Sequence, residues 1–278
     1  MPQLTRAYTS DHQVQPDGSV RFGCSNDQHE WPWLNLPAQH PLVIQTQNFW
    51  TSVGATDALG TRDESKWSAL TWTDWHLGEP QSGQAVSGHF VPSGDEDEIA
   101  FSTTLFDAQD RLIVTMNGKG VIFRNRNFET WREGSKKQAR KQTTPPAGFA
   151  YATRAMLDLP PQEPPLLAPL GIDDSGRLST AALITKENGL IPGHPYFSGS
   201  GDHVNTPHLA EIGRQVVSLL NQGRSPVINF GEMDMHRYIE LGTAIDIVID
   251  QHSECAANLA IHQLGKSCAT ITMRWAAG

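Results

Sequence analysis

The stretch "HPYFSGSGDHVNTPHLAEIGRQVVSLLN", residues 194–221, passes from a Gly-rich loop into a segment with helical periodicity. Leu209, Ile212, Val216, Leu219 and Leu220 recur at three- and four-residue spacing and predict a helix with one apolar stripe. Thr206 is the expected N-cap, Pro207 suits the first helical position, and Gly223 is the expected stop. Glu211 and Arg214 are three residues apart, so they share a helix face and can touch, with Gln215 beside them. On a solvated face such a pair would contribute only about 0–1 kcal/mol. On a helix wrapped by a sheet it would be desolvated, and then it must be paired or put to use.

Working outward, the two halves of the chain present the same features in the same order. "PDGSVRFGC" (16–24) and "DDSGRLSTAALI" (173–184) read as a turn and a short strand. "HEWPW" (29–33) and "HPYF" (194–197) each set a His beside aromatics and prolines. "HPLVIQTQNFWTSVG" (40–54) and "TPHLAEIGRQVVSLL" (206–220) read as the long helices. Strands follow in both halves, with turns at "DAQD" (107–110) and "QLGK" (263–266). One long helix wrapped by a curved antiparallel sheet is a hotdog unit, so the expected fold is α+β, a double hotdog. Its expected parts are a first unit over 1–132, a Pro-rich linker over 133–168 and a second unit over 169–278. The linker expectation rests on the basic run "REGSKKQARKQ" (132–142) and on "LPPQEPPLLAPLG" (159–171), whose prolines hold extended backbone without donors.

The bulk composition narrows the function. The 278 residues are 38% hydrophobic and 18% charged, a globular composition. A net charge of -9 argues against a dedicated nucleic-acid binder. Cys24, Cys255 and Cys268 form neither a CxxC pair nor an even framework. No apolar leader opens "MPQLTRAYTSDHQ", and no run approaches the roughly 20 apolar residues of a membrane span. The expectation is a cytoplasmic protein, either a monomer of two units or a homodimer.

"DHVNTPHLAEIGRQ" (202–215) resembles the motif of the A-factor biosynthesis hotdog family, in which Asp-His-Val leads into a helix bearing Glu-x-x-Arg-Gln. "MHRYIELGTAIDIVID" (235–250) and "IHQLGKSCATITMRW" (261–275) are similar to that family's later strands. The helix is also similar, more distantly, to that of β-hydroxyacyl-ACP dehydratases. The resemblance implies γ-butyrolactone-type synthesis, which joins a β-ketoacyl thioester to glycerone phosphate. It implies no resident cofactor, the acyl group arriving on the phosphopantetheine of an acyl carrier protein or of coenzyme A. It also implies that Glu211 and Arg214 are the central pair, with Gln215, Asp202 and His203 around them. In the first half the matching positions read Gln45-Thr46-Gln47-Asn48, so both charges are absent and that unit is expected to be a scaffold or to line an acyl tunnel.

The residues themselves support several chemistries. Glu211 could act as a base, and Arg214 could hold a phosphate or a carbonyl oxygen. His203 or His194 could act as acid or base, since imidazole titrates near neutral pH. Pro207 and His208 open the helix, where backbone N–H groups can meet a carbonyl; His208 is equally a structural residue. No metal is expected: His203 and His208 with Asp202 lack the spacing of a ligand set. The tryptophans of the first half read as core, or as an apolar wall for an acyl chain. Residues Lys136 to Lys141 read as a solvated basic run, or as a dock for an acidic carrier protein. Three functions stay open: condensation or acyl transfer, dehydration, isomerisation or hydrolysis of an acyl thioester, and non-catalytic acyl binding.

Overall fold

A computed structural model describes residues 7–62, 66–94, 98–123, 128–143, 146–161, 163–185 and 203–276. The chain divides into two compact units, 1–126 and 127–278.

The first unit holds β1 (Thr9–Val14), β2 (Val20–Cys24), α1 (Pro41–Leu59), β3 (Trp67–Leu77), β4 (Ser87–Pro92), β5 (Glu98–Phe106) and β6 (Leu112–Phe123). Its strands hydrogen-bond in the order β1-β2-β4-β5-β6-β3, each antiparallel to its neighbours. The helix α1 packs on β1, β2, β4 and β5. Pro41 opens it after the His40 cap, whose side chain accepts from Leu42 N, and Gly60 closes it at φ 68°. Trp31, Trp33, Trp50 and Trp75 are buried in this unit. Trp31 meets Trp33 and Trp50 edge-on at ring separations of 6.1 and 5.0 Å, so these tryptophans serve the core.

The second unit holds α2 (Phe128–Lys141), α3 (Arg154–Leu157), β7 (Gly171–Ile172), β8 (Leu178–Ala182), β9 (His203–Val204), α4 (Thr206–Leu220), β10 (Ile228–Met235), β11 (Ile239–Glu240), β12 (Ile245–His252), β13 (Ala256–Gln263) and β14 (Lys266–Trp275). Its main strands run β10-β14-β13-β12-β8-β7, and β9 pairs separately with β11. Read from the other edge, this is the order of the first unit: β7, β8, β12, β13, β14 and β10 stand where β1, β2, β4, β5, β6 and β3 stand. The repeat in the sequence is thus a repeat of topology. The strands that directly follow the long helices, β3 and β10, carry no turn-bounded alternation in the sequence. They become visible only through their partners β6 and β14.

Residues 133–168 do not form a spacer. The unit boundary falls before them, and α2 is a helix of the second unit. The Pro-rich part lies against β8: Leu183 N donates to Leu166 O at 2.9 Å and Ala168 N to Ala181 O at 2.8 Å. Leu157, Leu166 and Leu167 are fully buried there. Prolines suit a linker when nothing pairs with the backbone, but here an adjoining strand edge takes the groups that remain.

Among the described residues, no helix is long and apolar enough to cross a membrane.

Candidate active site

The helix α4 starts one residue earlier than its sequence suggests. Asn205, not Thr206, is the N-cap, and Pro207 falls in the first turn. Asn is as good a cap as Thr, and the His208 side chain reaches back: its Nδ1 accepts from Asn205 N at 3.2 Å. His208 is 1% exposed and acts on the helix start, while Pro207 is buried beside it. Gly213 faces β14, where a Cβ would meet Cε at the end of the flexible Met273 side chain. Residues from Pro207 to Leu219 are buried on all sides, so the polar ones among them are buried as well.

Glu211 and Arg214 form a bidentate pair. Arg214 Nε donates to Glu211 Oε2 at 2.9 Å, and Nη2 donates to Glu211 Oε1 at 2.7 Å. Gln215 Nε2 adds a third bond to Glu211 Oε1 at 2.7 Å. The exposures of Glu211, Arg214 and Gln215 are 2, 6 and 0%, which decides against a weak surface pair. The same Arg214 Nη2 donates to Glu163 Oε2 at 3.1 Å, and Nη1 donates to Ser225 Oγ at 3.1 Å.

Glu163 is a member of the site that sequence reasoning passes over, because it stands among prolines. Gln215 brings it in. Its Oε1 accepts from Leu166 N at 2.9 Å, and its Nε2 donates to Pro164 O at 3.1 Å, so one side chain holds the Pro-rich segment as a strand partner would. Arg154 Nη1 fixes the same turn by donating to Pro160 O and Glu163 O at 2.6 and 2.7 Å. The only signal available was a carboxylate and an Arg in segments that each look irregular.

The electrostatics follow. Two buried carboxylates share the Arg214 guanidinium. Burial, and then the charge of Glu211, push the Glu163 carboxyl up to about 7, against the pull of Arg214 and Arg154. Burial alone would lower Arg214, but the adjoining Glu211 and then Glu163 more than offset it and keep the guanidinium charged. Glu211 accepts two bonds from Arg214 and one from Gln215. The Glu163 carboxyl is thus raised towards neutral pH by its burial beside Glu211.

His203 sits on β9, opposite Glu240 of β11. Its ring meets Tyr238 edge-on at 4.9 Å, and the Arg132 guanidinium lies 4.9 Å above the same Tyr238 ring. Arg132 Nη2 is paired with Glu240 Oε2 at 2.8 Å, both buried. The contacts that hold His203 thus belong to a second polar cluster, on the β9–β11 ribbon that leads into α4. His194, Asp202 and the Ser-Gly-Ser-Gly run lie outside the described residues. Burial pushes Cys24 up to about 12 and raises Cys268 as well, so neither of these two thiols is a ready nucleophile.

A cleft of about 300 Å³ opens between α3 and the C-terminal end of α4, lined by Ala155, Met156, Leu219, Gln222 and Gly223. Gly223 is two residues from Ser225, whose N–H donates to Asp158 Oδ2 at 3.1 Å and whose hydroxyl meets Arg214.

In α1 the matching positions are also buried. Gln47 Nε2 donates to Tyr8 Oη at 3.1 Å and Asn48 Nδ2 to Thr73 Oγ1 at 3.1 Å. Gln45 is fully buried, and neither atom of its amide has a hydrogen-bond partner among the described residues. No charge stands at these positions of the first unit.

No family model matches the chain, and no curated protein matches it. Solved structures do. An acyl-ACP thioesterase from Bacteroides thetaiotaomicron is 12% identical with a TM-score of 0.56, covering 93% of this chain and 97% of that one. The 12:0-ACP thioesterase from Umbellularia californica is 8% identical with a TM-score of 0.49, covering 85% and 90%. A bifunctional dehydratase-cyclase domain of ambruticin biosynthesis is 11% identical with a TM-score of 0.45, covering 96% of each chain. The first likeness is one of fold: the chain has the hotdog architecture.

Proposed function

We propose that the chain is a double-hotdog enzyme that hydrolyses an acyl thioester carried by an acyl carrier protein or coenzyme A, using the buried cluster of the second unit. The observation that carries this reading is geometric: Glu163 and Glu211, both buried, are held on one guanidinium, Glu163 at 3.1 Å from Arg214, and burial beside Glu211 raises the Glu163 carboxyl towards neutral pH. A general base works best with a pKa near the working pH. In the proposed step the Glu163 carboxylate takes a proton from water, the hydroxide oxygen bonds to the thioester carbonyl carbon, and the C–S bond breaks. The proton passes to the departing thiolate, giving a carboxylic acid and a free thiol. Arg214 and Gln215 position the two carboxylates. The hotdog likeness to an acyl-ACP thioesterase supports the substrate class.

Condensation with glycerone phosphate, the activity implied by the A-factor resemblance, asks Arg214 for a phosphate. Four of its N–H donations are already made, to Glu211 twice, to Glu163 and to Ser225. This favours hydrolysis, with dehydration as the neighbouring reading because it too needs one proton-transferring carboxyl. The test is a panel of acyl, β-hydroxyacyl and β-ketoacyl thioesters, with and without glycerone phosphate, followed by thiol release and mass spectrometry. Thiol release that needs no acceptor and disappears in Glu163→Gln supports hydrolysis. A product that forms only with glycerone phosphate, or undiminished release in Glu163→Gln, defeats it.

A further inference from the structure

The segment 132–141 carries Arg132, Lys136, Lys137, Arg140 and Lys141 against one carboxylate, Glu133, in a chain of net charge -9. The fold turns this run into a helix with two unlike faces. Arg132 and Ala139, seven residues apart, are buried. Arg132 is paired to Glu240, and Ala139 O accepts from Thr243 Oγ1 at 3.1 Å, so α2 is fastened to the second unit along that side. Lys137, Arg140 and Lys141 are exposed, and Lys136 is half-buried. These four fall at i, i+1, i+4 and i+5 and make a single cationic stripe. Arg140 reaches Glu133 at 3.5 Å, both well exposed, a contact that neutralises little.

A helix of net negative protein gains from cations in its last turn, which accounts for Arg140 and Lys141. It gives no reason for Lys137 a turn earlier. We propose that this stripe docks an acidic carrier protein, the form in which an acyl thioester reaches the second unit; the inference rests on the thioesterase reading for the identity of the partner. Charge complementarity selects an acidic partner, because the rest of the chain would repel one. The stripe lies on the convex surface of a helix, which suits a facing protein surface. A free nucleotide such as that of coenzyme A requires a concave site. The position fits delivery: α2 is bonded to Glu240 on β11, β11 pairs with β9, and β9 runs into Asn205 and the start of α4.

The test uses the full chain with Lys137→Glu, Arg140→Glu and Lys141→Glu together, and a neutral version with Gln at the same three positions. Binding of an acidic holo-acyl carrier protein is measured by surface plasmon resonance at about 50 mM and about 300 mM salt, one on each side of strong screening. The charge-reversed chain is expected to bind at least about tenfold more weakly, the Gln chain to fall between, and wild-type binding to weaken with salt. Hydrolysis of acyl carrier protein thioesters falls in parallel, while that of the coenzyme A thioester stays within about twofold. Equal binding by all three chains, or no binding by the wild type, overturns the docking surface. If no thioester is hydrolysed by any chain, the catalytic reading fails, and the binding series still decides the docking surface by itself.

Discussion

Arg214 and Glu163 are joined by a 3.1 Å bond across 51 residues of chain, from the central helix to the Pro-rich segment. Because Glu211 already occupies the same guanidinium, Glu163 is the second carboxylate on one cation. Its raised pKa makes folding pH-dependent. The folded carboxyl binds its proton more tightly than the unfolded one, whose ordinary value is 4.5. The stabilising contribution is therefore complete below about 4.5 and is lost as pH rises to about 7. Urea denaturation at a series of pH values should show this decline in wild type, on the order of 2–3 kcal/mol, and a flatter profile in Glu163→Gln. Catalysis runs the other way, since the base must be ionised: turnover should rise through about pH 7. A wild-type stability profile flat over that window would contradict the burial of Glu163 beside Glu211.

Removing Arg214 leaves two buried carboxylates without their cation. Arg214→Met is expected to lower stability by about 3–5 kcal/mol. Arg214→Met combined with Glu211→Met, which replaces the bidentate pair by apolar groups, should lose less than the single variant. Denaturant midpoints of the two proteins check this, and a double variant worse than the single one would mean that the pair is not the main partner.

Gln45 matches Glu211 in the sequence repeat, but its amide is buried and has no hydrogen-bond partner among the described residues. Gln45→Met removes an unsatisfied polar group at similar length and should raise stability by about 1–2 kcal/mol. Gln45→Glu should destabilise strongly, because Asn48 stands where Arg214 would supply the charge, and adding Asn48→Arg should recover part of the loss. Thermal melts of the three proteins decide it; an uncomplaining Gln45→Glu would show that the first unit can still host an ionised carboxylate.

Two glycines of positive φ offer an internal control. Gly223 has φ 79°, and a Cβ there would meet Ala155 O at 2.6 Å; Gly242 has φ 80° and open space around it. Gly242→Ala should cost about 1 kcal/mol from backbone strain alone. Gly223→Ala should cost clearly more, because α3 must shift, and it should also lower turnover through Ser225 and Arg214. Equal losses at the two positions would separate the α3–α4 contact from the site.

Much of the fold was legible because it is local and repeated. The apolar spacing from Leu209 to Leu219 marks the helix, and "DAQD" and "QLGK" mark the final hairpins of the two units. The pairing of Glu211 with Arg214 was legible for the same reason, since three residues of helix bring two side chains together wherever that helix lies. What failed was the reading of residues whose meaning depends on a partner. Thr206 and Asn205 are both sound caps, and the reach of His208 back to Asn205 decides between them. β3 and β10 have weak patterns of their own and exist by pairing.

The sequence by itself determined the two-unit repeat, the central helices and the loss of charge from the first of them, because periodicity and spacing are properties of neighbours along the chain. The tertiary structure alone decided that α4 is buried on every side, that the Pro-rich segment is a strand partner, and that Glu163 completes the cluster. Burial and ion pairing depend on which distant segment arrives, and a carboxylate among prolines carries no local mark of the guanidinium 51 residues away that will hold it.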